Sequence, residues 1–341
     1  MPLARVVVVT AVLALLTLLI PGRHAVAPPE GPLQGMRVGL VFDVGGLGDK
    51  SFNDAAYAGL SRARRELGTT VECFEPSGAE DRESALRLFA ARGFDLVIGV
   101  GFVFTSDVNE VAKDFPEVRF ACVDYVAPKR VDEIPPNVVG LGFREEEGAF
   151  LVGAVAGLIT KTRHVGFVGG MEVPLIKRFE KGFRAGSLHV CPDCEVHVAY
   201  AGTTPEAFAD PAKGKAIAIS QIAAGSDVIF HASGTTGHGV FEAAKDMGIK
   251  AIGVDADQHD EAPGVVITSM LKRVDMAVFN TVQAVGEGRF EAGLKSFGVA
   301  EQGVGYVNEG PHAAGIEPAV KQQVEQLRAQ LAAGEIVVRR E

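Results

Sequence analysis

A chain of 341 residues has room for one large or two medium domains, and 47% apolar with 22% charged residues is the balance of a globular protein with a sizeable core. The formal net charge is −10 and no Lys/Arg-rich run occurs, which argues against nucleic acid and anionic membrane surfaces as partners. With no Trp, 4 Tyr and 20 Phe, any aromatic stacking surface falls to phenylalanine.

The first element is a targeting segment. Arg5 precedes an uncharged apolar run from Val6 to Ile20, followed by Pro21-Gly22 and the small-x-small triplet Ala25-Val26-Ala27. That order describes a secretory signal, and the run is shorter than the roughly 17–25 residues of a membrane span. Pro28 disfavours cleavage directly after the triplet, so the segment is either cut elsewhere or kept as an anchor. It contains no cysteine for lipid attachment. Residues 1–27 are assigned as signal peptide or N-terminal anchor and 28–35 as a linker. The expected location is the periplasm or the outer face of the cytoplasmic membrane, and not as an evident lipoprotein.

Beyond Met36, β-branched runs alternate with helical patterns. Strands are expected at 37–43, 70–75, 95–100, 118–123 and 138–142, with helices at 52–66, 80–91 and 105–114 between them. After a helix from Glu145 to Ile159 the pattern restarts. It runs strand 164–169, helix 175–188, strand 195–201, helix 212–224, strand 226–231, helix 237–247 and strand 250–254. A helix at 273–287, short strands near 296–299 and 304–308 and a helix at 317–333 complete the chain. Two such series imply two α/β lobes, each with a parallel sheet covered on both faces. Arg37-Val-Gly-Leu-Val and His164-Val-Gly-Phe-Val open the two series alike. Gly153-Ala-Val-Ala-Gly157 is read as a site of close packing against the sheet, since its apolar run is too short for a membrane span.

The cysteines divide into two kinds. Cys73 and Cys122 sit in apolar strand-like runs and read as small core residues. Cys191-Pro-Asp-Cys194 lies in a polar turn; in an oxidising compartment a local disulfide is the leading reading, ahead of free thiols and of a metal site shared with His189 and His197. His231, His238 and His259 lack metal-binding spacing, and no G-x-S-x-G nucleophile motif occurs.

The glycine-rich loop after the first strand carries the functional question. A phosphate-binding loop places Lys directly after Gly, but here Asp49 intervenes in Gly48-Asp-Lys-Ser51. Asp43 and Asp49 add negative charge where a phosphate would sit, and no G-x-G-x-x-G occurs there. The position still matters, because open parallel sheets bind ligands beyond the carboxyl ends of their strands. Ser51-Phe-Asn-Asp54 reads as a capping box that holds Phe52 and Asn53 at the helix mouth.

Asp43-Val-Gly-Gly-Leu-Gly-Asp-Lys-Ser-Phe-Asn53 resembles the opening motif of the basic membrane protein (BMP) family, the substrate-binding components of ABC importers. The likeness extends over almost all of the mature chain. It continues through Phe120-Ala-Cys-Val-Asp124, Phe167-Val-Gly-Gly-Met-Glu-Val-Pro174 and Ala207-Phe-Ala-Asp-Pro-Ala-Lys-Gly214. Further matches are Ser233-Gly-Thr-Thr-Gly-His-Gly-Val-Phe241, Gly253-Val-Asp-Ala-Asp-Gln258 and Thr268-Ser-Met-Leu-Lys-Arg273. The resemblance implies a type I periplasmic-binding fold, two doubly wound lobes joined by a hinge that closes on a ligand. The N-lobe is placed at 36–143 plus 271–298 and the C-lobe at 144–270 plus 299–341, with crossings near 142–145, 268–272 and 297–303.

The resemblance also implies a purine nucleoside ligand and a role for each pocket residue. Phe52 and Phe208 sandwich the base, and Asp124 takes its polar edge. Asp257, with Asp255, takes ribose hydroxyls; Lys272 and Asn53 complete the polar shell; Gly234 and Gly237 permit close backbone approach. Asp43, at the first strand's end, faces the same site. Plainer readings stand beside these. Phe52 and Phe208 could be core, Asp43 a turn cap, and Lys272 a surface partner of Asp275; Phe179 reads as core rather than ligand. The implied partners are a small-molecule ligand and a membrane permease, with no nucleic acid, no cofactor, no metal and a monomeric state. Binding and hinge closure are the expected mechanism, without covalent chemistry. The alternatives are a sensory receptor of the same fold or a nucleoside-processing enzyme.

Overall fold

The computed structural model describes residues 30–339, so the expected signal or anchor at 1–27 lies outside the described residues. The first series is β1 (Arg37–Val41), α1 (Phe52–Leu67), β2 (Thr70–Phe74), α2 (Ala79–Ala91), β3 (Leu96–Val100), α3 (Thr105–Asp114), β4 (Arg119–Val123) and β5 (Val138–Phe143). The second series opens with α4 (Glu145–Ile159), β6 (His164–Met171), α5 (Pro174–Val190), β7 (Glu195–Gly202) and α6 (Pro211–Ala223). It continues with β8 (Val228–Ala232), α7 (Thr236–Met247), β9 (Lys250–Asp255) and β10 (Val266–Lys272). The chain ends with α8 (Val274–Gly286), β11 (Gly293–Phe297), β12 (Val304–Tyr306) and α9 (Pro318–Ala332).

These strands form two six-stranded sheets, ordered β11-β5-β4-β3-β1-β2 and β12-β10-β9-β8-β6-β7. The orders are equivalent position by position, so the likeness between the openings of β1 and β6 reflects two lobes built to one plan. The pairings are parallel except β10 with β12. Leu96-Val-Ile-Gly-Val100 is apolar throughout because helices cover both faces, and every residue of this strand is buried. Chain crossings are tied together at the hinge. Arg144 N donates to Phe297 O at 2.9 Å, and Arg273 N to Gly303 O at 2.8 Å. Among the described residues no helix is long and apolar enough to cross a membrane.

Several expectations are corrected. Residues 266–272 form a complete strand beside β9, where only a crossing was expected at 268–272. Part of the expected linker is packed: Leu33 N donates to Leu67 O at 2.8 Å and its side chain lies against the core. Cys73 is exposed, not core, because β2 is an edge strand; Cys122 is buried as expected. Gly153 and Gly157 of α4 pack against helix α5 rather than the sheet. A Cβ at Gly153 would lie 2.2 Å from the Phe183 carbonyl oxygen, and one at Gly186 1.9 Å from that of Phe150. Gly153/Gly157 and Gly182/Gly186 thus let two helix backbones touch.

Candidate functional site in the interlobe cleft

The carboxyl ends of β1, β3, β4, β9 and β10 converge on a cavity between the lobes, as parallel α/β topology dictates. It encloses up to about 540 Å³, part of it open to solvent. Its walls include Asp43, Phe52, Asn53, Asp124, Phe208, Gly234, Asp255 and Lys272, residues brought together from both series.

The loop after β1 is organised by Asp49. Its buried carboxylate accepts the backbone N–H groups of Ser51, Asn53 and Asp54 at 2.9, 2.8 and 3.1 Å. Asp49 therefore caps α1, in place of the expected Ser51–Asp54 box. A carboxylate has two oxygens and a full charge to offer a helix N-terminus, which a single hydroxyl cannot match. Asp54 instead accepts from Gly48 N and Lys50 N. Ser51 is freed to reach the other lobe, where its hydroxyl donates to Asp255 Oδ2 at 2.5 Å. Asn53 locks the loop, accepting from Asp43 N at 2.9 Å and donating to Asp49 Oδ2 at 3.0 Å.

Aromatic rings line the cavity on several sides. Phe52 projects from the first turn of α1. Phe208 rests on two glycines: a Cβ at Gly170 would lie 2.4 Å from its ring, and one at Gly234 2.9 Å from its carbonyl oxygen. Gly234 has φ +56, a second reason for glycine there. Phe102, directly after β3, and Phe179 also line the space. Phe179 is both core and wall, 3% exposed and packed against Phe230.

Charge is concentrated at the inner end. Lys272 Nζ lies 2.7 Å from Asp124 Oδ2, 3.3 Å from Glu145 Oε1 and about 5 Å above the rings of Phe52 and Phe143. Burial alone would lower the lysine's pKa; Asp124, Glu145 and Asp255 outweigh it and hold Lys272 above its usual value. The Asp275 partner is not used, since Asp275 pairs with Arg273. Burial pushes Asp43 up to about 7, Asp255 to about 6 and Glu145 to about 7, the last despite Lys272 and Arg178. Asp124 and Asp255 occupy equivalent strand ends, and both hold positive φ, +60 and +65. Such non-glycine strain persists where the surroundings enforce it. Asp124 Oδ1 is buried without a hydrogen bond among the described residues.

Two expected residues stand elsewhere. Gly237 lies in α7 with its Cα against the His231 ring, where a Cβ would come within 2.0 Å. Asp257 is exposed beyond β9, accepting from His259 N at 3.1 Å and pairing with His312 Nδ1 at 2.7 Å. The side chains at the strand exit diverge, so Asp255 faces the cleft and Asp257 does not. Asp49, Phe102 and Phe179 were missed as wall residues; Phe102 could have been found from its place at a strand's carboxyl end. Away from the cleft, Cys191 and Cys194 form a disulfide, Sγ–Sγ 2.04 Å, in the turn between α5 and β7.

Comparison with known proteins agrees with this architecture. A model of the Bmp family, described as ABC transporter substrate-binding protein PnrA-like, matches residues 36–339. A CD4+ T-cell-stimulating antigen of Listeria monocytogenes is 38% identical, with 88% of this chain and 87% of the relative covered. An uncharacterised lipoprotein of Pyrococcus horikoshii is 35% identical, over 80% of this chain and 69% of the relative. The ABC transporter nucleoside-binding protein BmpA of Lactococcus lactis is 32% identical, over 76% and 77%. A solved solute-binding protein of an ABC transporter system from Aeropyrum pernix is 31% identical, with a TM-score of 0.79 over 90% of this chain and 94% of that one. With its two matching sheets, its interlobe cleft and these relatives, the chain belongs to the Bmp family of ABC transporter substrate-binding proteins.

Proposed function

We propose that the ligand this protein captures for its permease is a purine nucleoside, held by stacking and hydrogen bonds as the lobes close, without covalent chemistry. The observation that carries this reading is Asp124. Its Oδ2 is engaged by Lys272, while the buried Oδ1 is an acceptor without a partner among the described residues, in a cavity walled by Phe52, Phe208 and Phe102. An acceptor beside flat apolar walls suits the N–H edge of a heterocyclic base. Asp43 and Asp255, at the ends of β1 and β9, suit vicinal hydroxyls of the attached sugar. Lys272 is the one cation among the described residues lining the cavity, and it is already paired. That disfavours a phosphate. The nucleoside-binding name of the Lactococcus relative supports the same choice.

The family works outside the cytoplasm, consistent with an exported protein. The Pyrococcus relatives are named lipoproteins, whereas the N-terminal segment here has no cysteine. We read that segment as a signal or an apolar anchor.

Calorimetry against nucleosides, free bases, nucleoside monophosphates, sugars and amino acids tests the ligand. Inosine, guanosine or adenosine should bind with markedly higher affinity than the corresponding monophosphate. Silence with every nucleoside, together with heat from a sugar or amino acid, would overturn the assignment. Product formation on prolonged incubation with inosine would favour an enzyme instead.

A further inference from the structure

The pole of the second lobe opposite the cleft carries three metal-type donors on one surface. Glu195 and His197 are two residues apart on edge strand β7, so their side chains stand on the same face. His164 opens the adjacent strand β6, in register with Glu195. His164 Nδ1 lies 3.1 Å from His197 Nε2, and the rings stack within 8° of parallel. Glu195 Oε2 lies 3.7 Å from His164 Nδ1, and Oε1 lies 3.7 Å from His197 Nδ1, the ring nitrogen other than the one facing His164. One donor atom from each residue falls within 4.8 Å of the other two.

Without metal, one imidazole N–H can donate to the other ring's lone pair across this 3.1 Å gap. A bound cation would take the place of that shared proton. A tetrahedral ion with metal–nitrogen bonds of about 2.0–2.1 Å sets its nitrogens about 3.3–3.4 Å apart. The observed 3.1 Å is thus near what one shared ion needs. We propose that His164, Glu195 and His197 form a surface site for one divalent transition-metal ion of the zinc class, with water in the fourth position. Two imidazoles and a carboxylate suit Zn(II), Ni(II) or Cu(II) and not the all-oxygen preference of Ca(II) or Mg(II).

The surroundings hold these donors in place. The disulfide ends at Cys194, the residue before Glu195, and Glu195 N donates to Arg163 O at 2.8 Å. Gln221 Nε2 donates to His197 O at 3.3 Å. The turn that ends α6 packs on the His164 ring, with a Cβ at Gly225 only 3.3 Å from it. The carbonyl end of a helix favours a nearby cation. Arg163, the residue before His164, has its charge paired with Asp193 at 3.6 Å. Glu195 is 64% exposed, so an ion has access. The grouping was hidden in the sequence, where His197 was considered with His189 and the cysteines. The disulfide removes the thiols, and His189 packs on Phe150 instead. The eight residues of β6 separate this pole from the cleft by roughly 20–25 Å at about 3.3 Å per residue.

The test titrates ZnCl2 into tag-free, EDTA-stripped protein by calorimetry, with Co(II) absorption reporting coordination. The expected result is one equivalent of Zn(II) bound and a visible band of a four-coordinate Co(II) site. His197→Ala and the near-isosteric Glu195→Gln should each weaken Zn(II) at least about tenfold. Metal-free melting and cleft ligand affinity should be unchanged in Glu195→Gln, which separates this site from the proposed nucleoside site. Absence of Zn(II) binding to the wild-type protein would overturn the proposal. So would equal binding by both variants, with loss in His312→Ala pointing to the stacked His259/His312 pair.

Discussion

Replacing Lys272 with methionine tests what holds the inner end of the cleft together. The lysine is 2% exposed and sits 2.7 Å from Asp124 and 3.3 Å from Glu145, whose own carboxylate is fully buried. Methionine matches its length and packs on the same phenylalanine rings, so volume is nearly kept. What is lost is the positive charge, and removing one partner of a buried ion pair costs about 3–5 kcal/mol. At roughly 2–4 °C per kcal/mol for a chain of this size, melting at pH 8 should fall by about 6–20 °C. The deficit also depends on pH. Burial raises Glu145 from its usual 4.5 to about 7, and Lys272 is the largest influence pulling it down. A carboxyl raised on folding contributes stability that is full below about 4.5 and lost as pH rises through its folded value. Without Lys272 that value rises further, so the variant keeps losing stability beyond pH 7. Thermal unfolding of ligand-free protein followed by circular dichroism at pH 5 and pH 8 measures both effects. A variant as stable as wild type at pH 8, or a deficit larger at pH 5, would refute the reasoning.

Phe208→Ala should weaken ligand binding by about 1.5–3 kcal/mol, combining lost burial with lost stacking, or roughly 10- to 150-fold by calorimetry. Its melting temperature without ligand should change little, since the ring is only half-buried. Asp49→Ala leaves three backbone N–H groups at the mouth of α1 without their acceptor and should lower stability by about 1–2 kcal/mol in urea titration. Ser51→Ala leaves that cap intact but removes a buried bond to Asp255 across the lobes, so it should cost about 1–3 kcal/mol in urea titration and also weaken ligand closure. Gly186→Ala drives a methyl to within 1.9 Å of the Phe150 carbonyl oxygen; forcing α4 and α5 apart should cost about 3 kcal/mol or more, read as a large drop in melting temperature.

The fold was legible because its signals are local. β3 announces itself as five consecutive buried residues, and α4 begins and ends at the expected residues, Glu145 and Ile159. The family resemblance supplied Phe52, Asn53, Asp124, Phe208, Asp255 and Lys272, and the position of the first strand's end supplied Asp43. The errors arose where a side chain's direction depends on contacts distant in sequence. Asp257 follows Asp255 by two residues, yet His312, from a turn far along the chain, draws it outward. Asp49 looked like an interruption of a phosphate loop. Only the folded loop shows its carboxylate beneath three amides. Phe179 carries the pattern of a core helix residue and is one, and the cleft lies on its far side. The meeting of His164 with His197 comes from strand register, which neither neighbourhood reveals alone.

The placement of positive charge bears directly on ligand choice. Lys272 leaves β10 of one lobe and binds Asp124 at the end of β4 in the other, so its charge is engaged across the lobes. Asp43, Asp124 and Asp255 then face the cavity with no unpaired cation among the described lining residues. A phosphate charge about 5 Å from one ionised carboxylate costs about 3.3 kcal/mol at an effective dielectric of 20, a factor of more than 100 in affinity. Several carboxylates multiply that penalty, and burial that lifts Asp43 and Asp255 toward neutrality relieves it only in part at pH 8, where both are largely ionised. A hydroxyl or base N–H in the same place donates a hydrogen bond to each carboxylate and brings no opposing charge. On the proposed reading the cleft should disfavour a nucleotide and retain a nucleoside, and that discrimination should weaken as pH falls from 8 toward 6, where Asp43 and Asp255 take up protons.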